Sequence, residues 1–132
     1  MNMPNVPNCI AEELKGDFVS LSKQQCGSNV VERILMRASR EKVREIVNEI
    51  VEDPSVLALY QDQFGNYVIQ KALQVTFKWP DIFDAVAKVV EENYSTLDTH
   101  MYGKRIVSCW AKMQNERRSN RLMASLDAQS NF

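Results

Sequence analysis

Apolar residues recur along this chain at helical spacing. Val43, Ile46, Val47, Ile50 and Val51 fall at i, i+3, i+4, i+7 and i+8, which predicts an amphipathic helix from about residue 40 to 52, stopped by Asp53-Pro54. Its other face is charged. Pro80 suits a first helical position, and Ile82, Phe83, Val86, Val89 and Val90 trace a matching helix to about Asn93. Three shorter stripes lie between and beyond these: Val30, Val31, Ile34, Leu35 and Ala38; Val68, Ile69, Ala72 and Leu73; Ile106, Val107, Trp110 and Met113. Short helices ending at Leu21 to Ser22, at Leu59 to Tyr60 and at Leu97 lead into them. No window alternates apolar and polar residues between turn signals, so the pattern predicts an all-α chain.

The pattern repeats. Cys26-Gly27-Ser28-Asn29-Val30-Val31-Glu32, Phe64-Gly65-Asn66-Tyr67-Val68-Ile69-Gln70 and Tyr102-Gly103-Lys104-Arg105-Ile106-Val107-Ser108 align without gaps, with Gly27, Gly65 and Gly103 38 residues apart each time. Each box is a bulky or apolar residue, Gly, a polar pair, an aliphatic pair and a further polar residue. A unit of two or three helices cannot bury its apolar stripe alone, so copies must stack, and the expected architecture is an α-solenoid, a superhelix of helical repeats. The chain holds two full units and a terminal half-unit starting near Tyr102. At the other end, Cys9, Ile10 and Leu14 read as a short helix that begins a full repeat with no cap before it. The expectation is an array truncated relative to a longer one, or self-association at that uncapped end.

Composition narrows the function. With 132 residues, 45% apolar and 25% charged, and 16 basic against 17 acidic residues, the chain is no polybasic tail that holds nucleic acid by bulk charge. Residues 101–132 nevertheless carry +4, and the first 99 carry −5. The start lacks a secretory signal and no apolar run is long enough to span a membrane, which predicts an intracellular chain without a membrane partner. Cys9, Cys26 and Cys109 stand 17 and 83 residues apart, so neither a disulfide framework nor a zinc ligand pair can be drawn. They read as buried small apolar residues. The single histidine, His100, just before a helix start, reads as a solvated or capping residue. With no phosphate loop, metal cluster or nucleophile-base pair, no catalytic residue, metal site, cofactor or small-molecule substrate is assigned.

The candidate chemistry lies in the polar positions of the boxes. On a helix, i and i+4 share a face, so Ser28 and Glu32 form a fork with Asn29 beside it, and Asn66 and Gln70 form one with Tyr67 beside it. Two polar ends flanked by a ring suit an unstacked RNA base. Glu32 only accepts, and guanine offers two neighbouring N–H donors, so Ser28/Glu32 should prefer guanine. Amides donate and accept, so Asn66/Gln70 can meet the mixed edge of uracil. The rival reading of these positions is the plain solvent face of a solenoid.

The strings Ser28-Asn29-Val30-Val31-Glu32 and Asn66-Tyr67-Val68-Ile69-Gln70, followed by Tyr102-Gly103-Lys104, resemble the C-terminal part of a Pumilio-homology (PUF) domain. The similarity runs from about Ile10 to Met113. This divides the chain into an N-terminal flank (1–9), a repeat region (10–113) and a C-terminal tail (114–132). The resemblance implies sequence-specific binding of single-stranded RNA, one base per repeat, by a cytoplasmic regulator of mRNA translation or stability acting at 3' untranslated regions. It implies that Ser28 and Glu32 contact the edge of a guanine and Asn66 and Gln70 that of a uracil. Asn29 then lies between bases and Tyr67 stacks. RNA antiparallel to the repeats makes the predicted dinucleotide 5'-UG. The Lys104/Arg105/Ser108 box departs from any reader code and resembles the family's closing half-repeat, leaving Arg105 as a stacking or phosphate contact at most. The tail residues Leu122, Met123 and Leu126 are expected to form a last helical turn packed back on the solenoid. The reading from a different class is a protein-interaction scaffold that no longer holds RNA tightly, with partners on the outer helix faces near Arg44 or Lys88.

Overall fold

A computed structural model of the protein describes residues 5–130, and all regular structure among them is helical. The order is α1 (Val6–Glu13), α2 (Phe18–Ser22), α3 (Gln25–Arg37), α4 (Arg40–Glu52), α5 (Val56–Tyr60), α6 (Gly65–Thr76), α7 (Pro80–Glu92), α8 (Tyr94–Asp98) and α9 (Gly103–Ser130). The two long amphipathic helices predicted from spacing are α4 and α7, within a residue of the expected ends. Helices α3, α6 and α9 stack side by side as one layer, and α1, α4 and α7 form a second. The short α2, α5 and α8 connect the layers. The result is an α-solenoid.

Its core is the seam between the layers. Val31, Leu35, Val68 and Leu73 of the first layer and Val43, Ile46, Phe83 and Val86 of the second are all buried. Burying a side chain of this size contributes roughly 1.5–3 kcal/mol, and the stripes place almost every one of them inward. Tyr60 is also fully enclosed, and its hydroxyl donates to the Val86 carbonyl at 3.0 Å, tying α5 to α7. Enclosure pushes the phenol well above its ordinary range, so it stays a donor.

The outer layer is laced by ion pairs. Lys42 on α4 reaches Glu12 on α1 at 2.5 Å, and Arg44 on α4 reaches Asp81 on α7 at 2.5 Å, with Arg40 at 3.3 Å from the same carboxylate. These pairs are largely exposed, so they set register more than stability. Between α1 and α2 the chain turns at Gly16, whose φ of +94° favours glycine. Glu49 closes that turn by accepting from the backbone N–H of Gly16 (2.7 Å) and of Phe18 (2.8 Å).

Three expectations meet the structure differently. Cys9 and Cys26 are exposed and Cys109 is half-buried, so none is the fully buried apolar residue expected. Cys9 lies on α1, where Val6 and Ile10 are exposed as well, and Cys26 sits in the first turn of α3, where no helix among the described residues covers it. The segment after Met113 is not a separate turn packed back on the body. Helix α9 continues to Ser130, and Leu122, Met123 and Leu126 are 61%, 59% and 58% exposed. Two i, i+4 turns of mixed polarity give too narrow a stripe to fold back. His100, in contrast, caps: its Nδ1 accepts from the N–H of Tyr102 (3.1 Å) and of Gly103 (3.2 Å).

Among the described residues, one side chain of the first unit is left less covered than its counterparts. Val30 is 42% exposed, whereas the residues 38 and 76 positions on, Val68 and Ile106, are 0% exposed because α3 and α6 cover them. A groove lined by Val6, Pro7, Ile10, Val30 and Ile34 lies open there between α1 and α3, flanked by Arg33 and Arg37.

Candidate nucleic-acid interface

In the layer of α3, α6 and α9, each helix carries a glycine in its first turn for a steric reason. A Cβ on Gly65 would stand 2.5 Å from the Leu59 carbonyl oxygen, and one on Gly103 would stand 2.7 Å from that of Leu97. At Gly27 the obstruction is the Leu21 backbone in the same way. Only a missing side chain lets the first turn of α3, α6 or α9 touch the short helix before it. The turn is also capped alike in two units: the Asp62 carboxylate accepts from the N–H of Phe64 (2.9 Å) and Gly65 (2.8 Å), as His100 does 38 residues on. This fixes where the following residues point.

The polar forks are therefore held, but not symmetrically. Ser28 is 4% exposed and its Oγ donates to the Gln25 carbonyl at 3.0 Å. Asn66 is fully buried; its Nδ2 donates to the carbonyls of Asp62 (2.8 Å) and Gln63 (2.9 Å), and its Oδ1 accepts from Gln70 Nε2 at 3.1 Å. The first position of each fork is thus turned into its own helix start. The fifth position, Glu32 or Gln70, is half-buried and opens outward. With one N–H held by Asn66, Gln70 keeps a free carbonyl and a second N–H. Sequence reasoning treated both fork positions as equals, because i, i+4 spacing says which face a residue shares and nothing about which end bonds back to the turn.

The flanking positions line up across the layer. Asn29, Tyr67 and Arg105 are all exposed at the same place on α3, α6 and α9. Arg105 Nη1 donates to the Tyr67 hydroxyl at 2.8 Å, and its guanidinium carbon lies 5.9 Å from the Tyr67 ring centroid and 5.4 Å from that of Tyr102. A cation between two rings is a ready platform for a base. Tyr102 was singled out only as the bulky first member of its box. Its place directly before Gly103, in the turn that His100 caps, is what brings its ring to Arg105.

Past Gln70 the surface continues as a groove of about 430 Å³ between α6 and α9, lined by Gln70, Gln74, Arg105, Ser108, Cys109 and Lys112 together with Met113. Gln74 was not picked out from the sequence, and Lys112 only as one of the basic residues of the C-terminal end that could hold flanking phosphates. They are legible in hindsight as the residues one and two turns beyond Gln70 and Arg105. Burial pushes the Cys109 thiol up, with a hydrogen bond involving Gln74 working against it, so it stays protonated here.

Comparison with known proteins decides the family. The family model described as the Pumilio-family RNA binding repeat matches residues 17–51 and 61–76, which hold both forks with their flanking residues. The chain belongs to the Pumilio repeat family. Among its Pumilio relatives, Pumilio homolog 12 of Arabidopsis thaliana is 34% identical over 99 residues, 75% of this chain and 16% of that protein. Pumilio homolog 11 of the same plant is 40% identical over 104 residues, 76% of this chain and 18% of the relative. Pumilio homology domain family member 4 of Saccharomyces cerevisiae is 33% identical over 102 residues, 74% of this chain and 11% of the relative. The chain thus spans less than a fifth of the length of these curated relatives. The fold is that of the solved "Puf3 RNA binding domain bound to Cox17 RNA 3' UTR recognition sequence site B", with a TM-score of 0.69 at 24% identity over 91% of this chain and 33% of that one.

Proposed function

We propose that the layer formed by α3, α6 and α9 binds single-stranded RNA, with Glu32 reading a guanine, Gln70 reading a uracil, and Asn29, Tyr67 and Arg105 as the surfaces between bases. The observation that carries this reading is the alignment of those three flanking residues, with Arg105 already seated on Tyr67. The free carbonyl of Gln70 accepts the N3–H of uracil and its second N–H donates to a neighbouring carbonyl oxygen of the base. Asn66 fixes which way that amide faces, and Ser28 plays the lesser part of leaving room beside Glu32. The carboxylate of Glu32 accepts both N–H donors on the Watson–Crick edge of guanine. The order of the repeats then gives 5'-UG.

The magnitude is modest. Stacking is worth about 1–3 kcal/mol per base, and about 4 kcal/mol corresponds to a millimolar complex, so two readers alone bind weakly. The repeat region of residues 10–113 is then one segment of a larger recognition surface, whether completed by further repeats or by a partner. The family, and the 3' UTR sequence held by the Puf3 domain, support a cytoplasmic role in control of mRNA translation or stability.

Fluorescence anisotropy with a labelled single-stranded oligonucleotide containing UG, at fixed salt, tests the assignment. The double substitution of Tyr67 and Gln70 by Ala should abolish the titration, while Lys88→Ala on the outer layer should leave it unchanged. Equal binding by both variants would remove this face from the interface.

A further inference from the structure

The back of α9 carries a second, unassigned cavity. It has a volume of about 320 Å³ and is lined by Trp110, Gln114, Arg117, Arg118 and Arg121. At about 100° per residue, Trp110, Gln114, Arg117 and Arg121 lie about 120–180° around the helix from Arg105, whereas Ser108 and Lys112 lie within about 60° of it. The cavity therefore faces away from the base readers, and it shares no lining residue with the groove between α6 and α9.

Its chemistry is one-sided, since every ionisable lining group is an arginine. Arg117 is fixed in place: its Nη1 donates to Asp84 at 3.1 Å and its guanidinium lies 4.6 Å from the Phe83 ring centroid. Its other terminal nitrogen, Nη2, is buried and meets no acceptor among the described residues, and the same holds for Trp110 Nε1. The Trp110 ring is held edge-on by Tyr94, with centroids 6.3 Å apart. Two buried donors without an acceptor, beside two further guanidinium groups on the surface, are costly to leave unmet and fit a bidentate oxyanion.

We propose that this cavity is a binding site for one anionic side chain, a carboxylate or a phosphorylated residue, presented by an acidic segment of a protein partner. The volume admits a side chain with its anionic head, the Trp110 ring receives its apolar stem, and Arg118 and Arg121 meet neighbouring acidic residues. RNA held on the opposite face of α9 leaves the site open, so this site and the RNA reading stand or fall separately.

The test follows the Trp110 indole N–H signal of the full ¹⁵N-labelled chain by NMR, with the Trp79 indole as internal control. The probes are hexaglutamate, a phosphoserine-containing peptide, inorganic phosphate and the UG oligonucleotide. Saturable movement of Trp110 by either peptide with Trp79 unmoved is expected, and the peptide that acts at lower concentration identifies the anion. Arg121→Gln, a change at an exposed position, should weaken that binding about tenfold, the loss of one charge-assisted contact. Arg117→Gln should abolish it, but Arg117 also packs on Phe83, so Arg121 is the deciding variant. The proposal is overturned if neither peptide moves Trp110, if the shift never saturates or is equal in Arg121→Gln, or if RNA moves Trp110 and Arg121→Gln weakens RNA instead.

Discussion

Gly65 offers the sharpest test of how the inner helices are spaced, because two ordinary rules predict opposite signs for Gly65→Ala. Helix propensity alone says that alanine in place of glycine stabilises by about 1 kcal/mol. The structure says otherwise. The added methyl would stand 2.5 Å from the Leu59 carbonyl oxygen, 2.5 Å from Leu59 Cδ1 and 3.1 Å from Asp62 Cβ. Leu59 is fully buried, so its side chain has nowhere to swing, and the carbonyl belongs to the backbone of α5. Relief requires α6 to move away from α5, an overpacking cost of about 1–3 kcal/mol that outweighs the propensity gain. We expect Gly65→Ala to lower stability by about 1–2 kcal/mol, a drop of several degrees in Tm, roughly 3–8 °C for a chain of this size. The shift starts one residue before Asn66 and two before Tyr67, so RNA affinity should fall as well. Urea unfolding followed by circular dichroism measures the first effect and anisotropy the second. A variant as stable as the parent, or more so, would refute the close-approach argument and leave the glycine spacing without a cause.

The other expectations are more direct. Gln70→Glu replaces the donor–acceptor amide with an acceptor pair and should move the preference of that repeat from uracil towards guanine, by about 1–3 kcal/mol in competition binding between UG and GG oligonucleotides; an unchanged preference would mean that Gln70 does not read the base. Asp81 and Glu12 are held below the usual carboxylate range by hydrogen bonds from Arg44 and Lys42. The folded state thus binds fewer protons than the unfolded one, and the stability these groups add is full above the ordinary carboxylate values and lost as the pH falls through the depressed ones. Asp81→Asn should flatten the acid limb of thermal melts and should do so less at high salt; parallel limbs would contradict this. Iodoacetamide labelling read by mass spectrometry should modify Cys9 and Cys26 faster than Cys109, whose thiol burial holds protonated. Equal rates at all three would show that Cys109 is more open than the groove allows.

Much of the fold is legible in the sequence because each unit says the same thing twice. The stripe Val43, Ile46, Val47, Ile50 marks α4 and its counterpart marks α7, and the 38-residue interval orders the layers before any contact is known. What escapes is what depends on a neighbour. Cys26 and Val30 have the polarity of buried residues, but no helix among the described residues covers them, and a stripe does not say which neighbour will cover it. The reach of α9 to Ser130 escapes because good helix formers after Met113 carry no stop signal, while Leu122, Met123 and Leu126 read equally well as a packed turn. Within the site, the residue types and their spacing were visible. The burial of Asn66 was not, since it rests on loop carbonyls at Asp62 and Gln63 that only the folded turn brings within reach.

The contacts of Gly27, Gly65 and Gly103 with Leu21, Leu59 and Leu97 divide labour inside each unit. They hold the first turn of each helix against the short helix before it, while Glu32 and Gln70, the proposed base readers, lie further along at positions that take no part in that contact. On the proposed reading, interval and alphabet are thereby independent variables, and exchanging the side chain at a fifth box position should rewrite one letter without stretching the line on which the letters are written, as on a ruler whose markings change while its gauge stays fixed.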